Sequence, residues 1–296
     1  MIRLSGFADE MAETVDKQID VLKRLNMKYA SVRSVEGKRI EGYSVREFSQ
    51  LVWNRMKSAG IRISSFGSMI GKIPVNDDEA YHVQLSQLEN LCNMCEVSSC
   101  RYIRMFSFFI PENSHPDLYL EQVIDKLTGY LKIAEKHGVT LIHENEKDIY
   151  GNTALRCRNL FDIIDSSSFR GVFDPGGFVQ CGDDVMNSWE ILKKDILSFH
   201  IKDSLYSNRQ NVLCGTGDAC MKELLSKAVL EDHFDGFLTL EPHLVIFIGL
   251  GIQEKNSVDK IIEKNRAGDI ESGFVMQYNA LQEILKEIQG RKNGGR

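Results

Sequence analysis

Four short apolar runs in the second half of the chain each stop on a side chain that can bind a metal or move a proton. They are Leu141-Ile142-His143-Glu144, Phe173-Asp174, Phe199-His200 and Leu240-Glu241. The three carboxylates and one imidazole recur at about the interval of a strand–helix unit in a (β/α)8 barrel, where strand ends converge on one face. Drawn to one point, they would repel one another unless a divalent cation sat among them. The expected metal ligands are therefore Glu144, Asp174, His200 and Glu241. Strand alternation puts each ligand on the side of the residue two before it: Ile142, Val172, Ser198 and Thr239. Phe173, Phe199 and Leu240 face the other way, under the helices. Glu146 competes with Glu144 for the end of its strand, and Asp203 competes less strongly with Asp174.

The elements that must position these groups follow from periodicity. Strands are expected at Ile2–Phe7, Tyr29–Val32, Ile61–Phe66, Tyr102–Phe106, Val139–His143, Phe169–Phe173, Ile196–Ile201 and Phe237–Leu240. Helical spacing follows each one, as in Val45, Phe48, Val52 and Met56, or in Met276, Ala280, Ile284 and Ile288 at the close. Asp77 and Asp78 stand where a cap belongs, and His137-Gly138 is a helix stop. Eight strands alternating with helices imply a parallel sheet. A doubly wound sheet announces itself with a glycine-rich turn after its first strand, and Gly6-Phe7-Ala8-Asp9 is no such turn. The expected fold class is α/β, a single (β/α)8 TIM barrel over residues 1–289, with 290–296 as a flexible polar tail.

Composition narrows the function. A net charge of −6 without a long basic run argues against a nucleic-acid partner. No apolar run approaches the roughly 20 residues of a membrane span, and Met1–Gly6 turns polar too soon for a signal peptide. Seven cysteines, an odd number, suggest reduced thiols and a cytoplasmic location. Cys92 and Cys95 have CxxC spacing but fall within a helical pattern, where core packing is expected.

The motifs His143-Glu144-Asn145-Glu146-Lys147-Asp148, Asp174-Pro175-Gly176-Gly177-Phe178, His200-Ile201-Lys202-Asp203 and Leu240-Glu241-Pro242-His243 resemble the sugar phosphate isomerase/epimerase family. That family lies in the xylose isomerase-like TIM-barrel superfamily. Leu4–Glu10 and Tyr102–Phe109 resemble it too, so the likeness runs along essentially the whole chain. It implies one divalent metal ion (Mn, Mg, Co or Zn) on Glu144, Asp174, His200 and Glu241, with a small carbohydrate as substrate. The pattern departs at Gly177, where relatives often place a substrate-binding histidine, which argues against the ketohexose epimerases.

A divalent ion across a carbonyl and its neighbouring hydroxyl stabilises an enediolate. Glu144 and Glu241 are then the expected acid–base pair, on opposite faces of the sugar. Lys202 and Arg104 are candidates to hold an anionic group, with His143 and His243 flanking the ligand strands. The amides of Gly215-Thr216-Gly217-Asp218 suit a phosphate, or Asp218 caps the next helix. The loop Phe66–Lys72 reads as an ordinary connection rather than a lid. Rival readings are a keto-polyol dehydratase on the same barrel, an endonuclease-IV-like phosphodiesterase, and a non-catalytic small-molecule binder. A homo-oligomer is compatible with all of these.

Overall fold

Eight parallel strands carry the architecture: β1 (Arg3–Gly6), β2 (Tyr29–Val32), β3 (Arg62–Gly67), β4 (Tyr102–Met105), β5 (Thr140–Glu144), β6 (Phe169–Phe173), β7 (Ile196–Ile201) and β8 (Phe237–Leu240). The computed structural model describes residues 2–245 and 267–294. The strands pair in the order β1-β8-β7-β6-β5-β4-β3-β2. A parallel bridge from Phe7 to Ser31 brings β1 back against β2. The fold is thus the expected (β/α)8 barrel.

Helices α1 (Val15–Arg24), α2 (residues 45–58, with a π turn at Ser49–Trp53), α3 (Asp78–Ser98), α4 (Leu120–Lys136) and α5 (Ala154–Ile164) follow the first five strands. After them come α6 (Pro175–Cys181), α7 (Val185–Leu192), α8 (Met221–Ser226) and α9 (Ile270–Gly294). Asp77 caps α3 by accepting the Ala80 N–H at 2.9 Å. Gly138, just past α4, takes the left-handed conformation (φ +63°) expected of a helix stop. Cys92 and Cys95 are buried in α3, and burial pushes the Cys92 thiol up to about 12. They pack the core, as expected.

Two details differ from expectation. The inner stripe of α9 is Phe274, Gln277, Leu281, Ile284 and Ile288, so Met276 and Ala280 sit beside it. The helix also runs to Gly294, into the segment expected to be a flexible tail. Lys286 and Arg291 near its end suit a helix C-terminus, which favours positive charge. Residues 295–296 lie outside the described residues. Among those described, no helix is long and apolar enough to cross a membrane.

The alternation argument holds inside the barrel. Phe173 and Phe199 meet at 5.5 Å between ring centroids and pack on Trp189 of α7, outside the sheet. Small hydroxyls bond to one another across neighbouring strands, as in Ser5–Ser64 at 2.6 Å and Ser31–Ser65 at 2.9 Å. Register brings the four ligand positions to one height. Glu144 lies opposite Val172, two residues before Asp174. Asp174 follows the Phe173–Phe199 pair and is level with His200. His200 lies opposite Thr239, two residues before Glu241. Such a stagger is what strand tilt in a closed barrel requires.

Candidate active site

Glu144, His200 and Glu241 converge at the C-terminal ends of β5, β7 and β8. Their ligand atoms all lie within 4.8 Å of one another. His200 turns Nδ1 to both carboxylates, in close contact with Glu144 Oε1 and 3.1 Å from Glu241 Oε2. All three are almost fully buried. Burial works against the imidazolium, but the two carboxylates outweigh it and push His200 up to about 9. Burial likewise opposes charge on Glu144 and Glu241, yet His200 with Arg104, and His200 with Lys202, hold both below the usual carboxylate range.

Asp174 stands beside this trio with a different set of partners. It is the N-cap of α6: Pro175 opens the helix, and Oδ1 accepts the Gly177 N–H at 2.9 Å. Its Oδ2 is in close contact with the Lys202 ammonium. Burial pushes its carboxyl up to about 7, against the pull of Lys202 and with a further push from Glu144 and Glu241. Asn145 fixes the Asp174 backbone from both sides, accepting its N–H at 3.1 Å and donating to its carbonyl at 3.0 Å. A Cβ on Gly177 would come within 2.9 Å of Asn145 Nδ2 and 3.0 Å of Asp174 Oδ2. The missing imidazole therefore reflects a tight place that glycine fills.

The other expected residues separate into two groups. Arg104 reaches the cluster, with Nη1 3.0 Å from Glu144 Oε2, and so does Lys202 through Asp174. His243 adjoins it, 3.5 Å from Glu241 Oε1 and 3.3 Å from Glu10 Oε1, and burial keeps it well below the usual histidine range. His143 does not reach it. Strand alternation turns its ring outward, where Nε2 meets Ser107 Oγ at 2.9 Å and the ring packs near Phe161 and Phe169. Burial drops it to about 4, which favours the neutral ring packed outside the cluster. Glu146 also points elsewhere, to Lys72 at 2.9 Å.

Asp203 and the glycine loop correct a further expectation. The Asp203 carboxylate accepts N–H groups from Ser204, Gly215, Gly217 and Ala219 at 2.8 to 3.1 Å. Of the amides that were candidates for a phosphate, those of Gly215 and Gly217 are spent on this buried carboxylate, and those of Thr216 and Asp218 on the Leu213 and Ser204 carbonyls. Asp218 does not cap α8 either. It accepts the Tyr206 N–H at 2.7 Å, and Cys220, which precedes α8, offers no side-chain cap. The loop after β3 is a tied connection: Phe106 N–H bonds Ile70 O at 2.8 Å, and Phe108 N–H bonds Gly71 O at 2.7 Å.

Arg33, Asp9 and Glu10 were missed. Arg33 is completely buried and bonds Asp9 at 2.9 Å, Glu10 at 2.9 Å and Glu241 at 2.9 Å. Burial works against its charge, but these three carboxylates hold the guanidinium above its usual range. The signal was available: β2 is a short apolar run that stops on Arg33, by the same rule that found the four ligands.

The donor set suits a divalent ion. Oxygens and an imidazole nitrogen converge, with no thiolate among them, and Glu241 Oε2 is buried without a well-aligned hydrogen bond. A model of the xylose isomerase-like TIM barrel family matches residues 19–261. The probable L-ribulose-5-phosphate 3-epimerase of Mycoplasma pneumoniae is 24% identical over 135 residues, which are 46% of this chain and 44% of that protein. The match thus spans less than half the length of the curated relative. Among solved structures, a zinc-binding IOLI protein superposes with a TM-score of 0.75 at 13% identity, over 97% of this chain and 99% of the other. An L-ribulose 3-epimerase does so with a TM-score of 0.75 at 14% identity, over 99% and 97%. At these identities the superpositions speak for the fold, and the family match covers most of the chain. The chain belongs to the xylose isomerase-like TIM barrel family.

Proposed function

We propose that this chain is a divalent-metal-dependent isomerase or epimerase acting on a sugar or sugar phosphate. The observation that carries the reading is the His200 imidazole held between the Glu144 and Glu241 carboxylates at the ends of three barrel strands. The epimerase names of the relatives support the substrate class. Glu144, His200 and Glu241, with Asp174 beside them, would hold the ion. Bound there, it would supply Lewis-acid stabilisation of negative charge on a carbonyl oxygen.

The chain's own groups do the proton work. One carboxylate, Glu144 or Glu241, takes the proton from the carbon beside the carbonyl; the C–H electron pair forms the carbon–carbon double bond and the carbonyl π pair moves onto the oxygen. The other returns a proton, on the opposite face for an epimerisation. Arg104 and Arg33 keep these carboxylates anionic and fixed in direction, so that each can act as a base. Lys202 fixes the direction of the Asp174 carboxyl by close contact, although burial pushes that carboxyl up to about 7. The buried setting excludes bulk water from the reacting carbon.

The test uses metal-loaded protein, a panel of ketoses and ketose phosphates, and D2O. The first prediction is deuterium on the carbon beside the carbonyl, with activity falling about 100- to 10,000-fold in Glu144→Gln and Glu241→Gln. Metal content, measured separately, should fall in His200→Ala. Loss of water from the substrate would point to the dehydratase instead. Full activity in both Gln variants, with metal retained, would end the paired-carboxylate reading.

A further inference from the structure

The end of the barrel opposite the carboxylate cluster holds a chemically distinct cavity. The first residues of five strands, Arg3, Tyr29, Arg62, Tyr102 and Phe237, open around a space of about 610 Å³. Trp53 and Lys57 of α2 and Arg101 before β4 complete its walls. Four cations thus face one cavity, and no carboxylate is among its lining residues. This happens in a chain whose net charge is −6.

Ion pairing accounts for little of that concentration. Among the described residues, no carboxylate forms an ion pair with Lys57, Arg62 or Arg101, and all three are exposed. Arg3 reaches Asp235 at 3.4 Å, while its Nε is buried without a hydrogen-bond partner. Like charges gathered at one opening repel one another, so an anion there would lower the energy of the ensemble. The aromatic residues add a second requirement. Arg62 lies 4.6 Å over the Tyr29 ring, and Arg3 lies 4.5 Å over Phe237. A guanidinium over a ring face keeps N–H groups free to take phosphate oxygens in pairs. The volume lies in the range of about 300–1,000 Å³ typical of small-molecule sites.

We infer that this cavity binds a nucleotide: a flat aromatic ring placed against Trp53, Tyr102 and the stacked guanidiniums, with its phosphates on Arg62, Arg101 and Lys57. Stacking on aromatic and guanidinium faces tolerates any base. The cavity is separate from the carboxylate cluster, because strand starts and strand ends are divided by the hydroxyl-filled barrel interior. Occupancy at one end therefore does not block the other.

The second prediction tests this by titrating the full chain with ADP, free of divalent metal, in a calorimeter at low ionic strength. Saturable binding of one ADP per chain is expected, weaker at higher salt. The double variant Arg62→Ala/Arg101→Ala should bind at least about tenfold more weakly, since hydrogen bonds to charged groups are the strong ones. Both side chains are exposed, so folding should survive. Lys57→Glu provides an independent variant and should weaken binding too. Glu144→Gln should bind ADP like the parent, and pyrophosphate or adenosine alone should bind more weakly than ADP. The inference is overturned by the absence of saturable binding, by undiminished binding in the double variant, or by loss of binding in Glu144→Gln, which would place the nucleotide at the other end. Pyrophosphate binding as tightly as ADP would also overturn it, by removing any role for the ring.

Discussion

The two halves of the barrel contribute opposite things to the same cluster. Strands β5 to β8 end on groups that can hold an ion: Glu144, Asp174, His200 and Glu241. Strands β1 to β4 and their loops bring the cations that face those groups. Arg33 after β2 meets Glu241 at 2.9 Å, Arg104 of β4 meets Glu144 at 3.0 Å, and Lys72 after β3 meets Glu146 at 2.9 Å. Asp174 departs from the pattern, because its cation, Lys202, comes from its own half. Among these carboxyls Asp174 is pushed up, to about 7, while Glu144, Glu146 and Glu241 are held down. Burial raises Asp174 first and Glu144 and Glu241 push it further, more than Lys202 offsets. Glu144 is held down by His200 of its own half together with Arg104 of the other, and Glu146 by Lys72 and Lys202 in the same two-sided way.

The third prediction should show the largest stability effect and could break this division of labour. Arg33→Met keeps the bulk but leaves Asp9, Glu10 and Glu241 buried against one another. Burial already pushes Glu10 up to about 8 in spite of Arg33. Removing one partner of a buried ionic network costs about 3–5 kcal/mol. Denaturant unfolding of the metal-free protein should show that loss. Arg55→Met, which removes an exposed pair with Asp16, should cost under about 1 kcal/mol. Equal effects from the two variants would mean that the first-half cations are not what holds the second-half acids in place.

The same division explains what could be read from residues alone. The second half was readable because an apolar run stopping on a carboxylate or imidazole is rare enough to stand out four times over. Strand parity then sent Glu144 inward and Phe173 outward, and the structure agrees. The same parity turns His143, one residue from Glu144, the other way, to Ser107 Oγ. Arg33 followed the strand-end rule but was passed over, because a basic residue at a strand end is ordinary on a surface and only three-dimensional burial makes it otherwise. The Gly215–Asp218 loop could not be resolved at all. A row of amides able to bind phosphate looks the same in sequence when a carboxylate 12 residues away, Asp203, already fills it.

The fourth prediction sharpens the comparison at the loop after β3, which carries Lys72. If the first half presents its cations on a preset frame, that frame should not tolerate a side chain at Gly71. There the backbone has φ +78°, and an added Cβ would lie 1.9 Å from the Phe106 carbonyl oxygen. Gly71→Ala should cost about 1–3 kcal/mol, as forced backbone strain does. The Lys72–Glu146 contact should loosen with it. Gly60→Ala makes the comparison clean: φ there is +75°, but nothing lies within 4 Å of the added carbon. Unfolding midpoints for the two variants separate the close approach from the conformational penalty. If they match, the loop is not held by its contact with Phe106.

The smallest expected effect lies away from both strand-end sets, and it measures what an ion pair contributes without burial at the cluster. His137, just past α4, faces Glu96 at 2.6 Å through Nδ1 and Glu89 at 3.0 Å through Nε2. Two carboxylates on the two ring nitrogens require both nitrogens to donate, so the folded protein favours the imidazolium. Hydrogen bonds donated to Glu96 and Glu89 accordingly raise His137 above its ordinary 6.5. A group raised on folding stabilises fully below its unfolded value and loses that contribution as pH climbs through the folded value. The fifth prediction is therefore a gap in unfolding free energy between the parent and His137→Asn. The gap should be fully present below the ordinary histidine value and shrink as pH rises above it. Because both glutamates are partly solvent-exposed, it should stay below about 1 kcal/mol. A gap that widens with pH would reverse the sign of the linkage and show that the neutral ring is the form the fold selects.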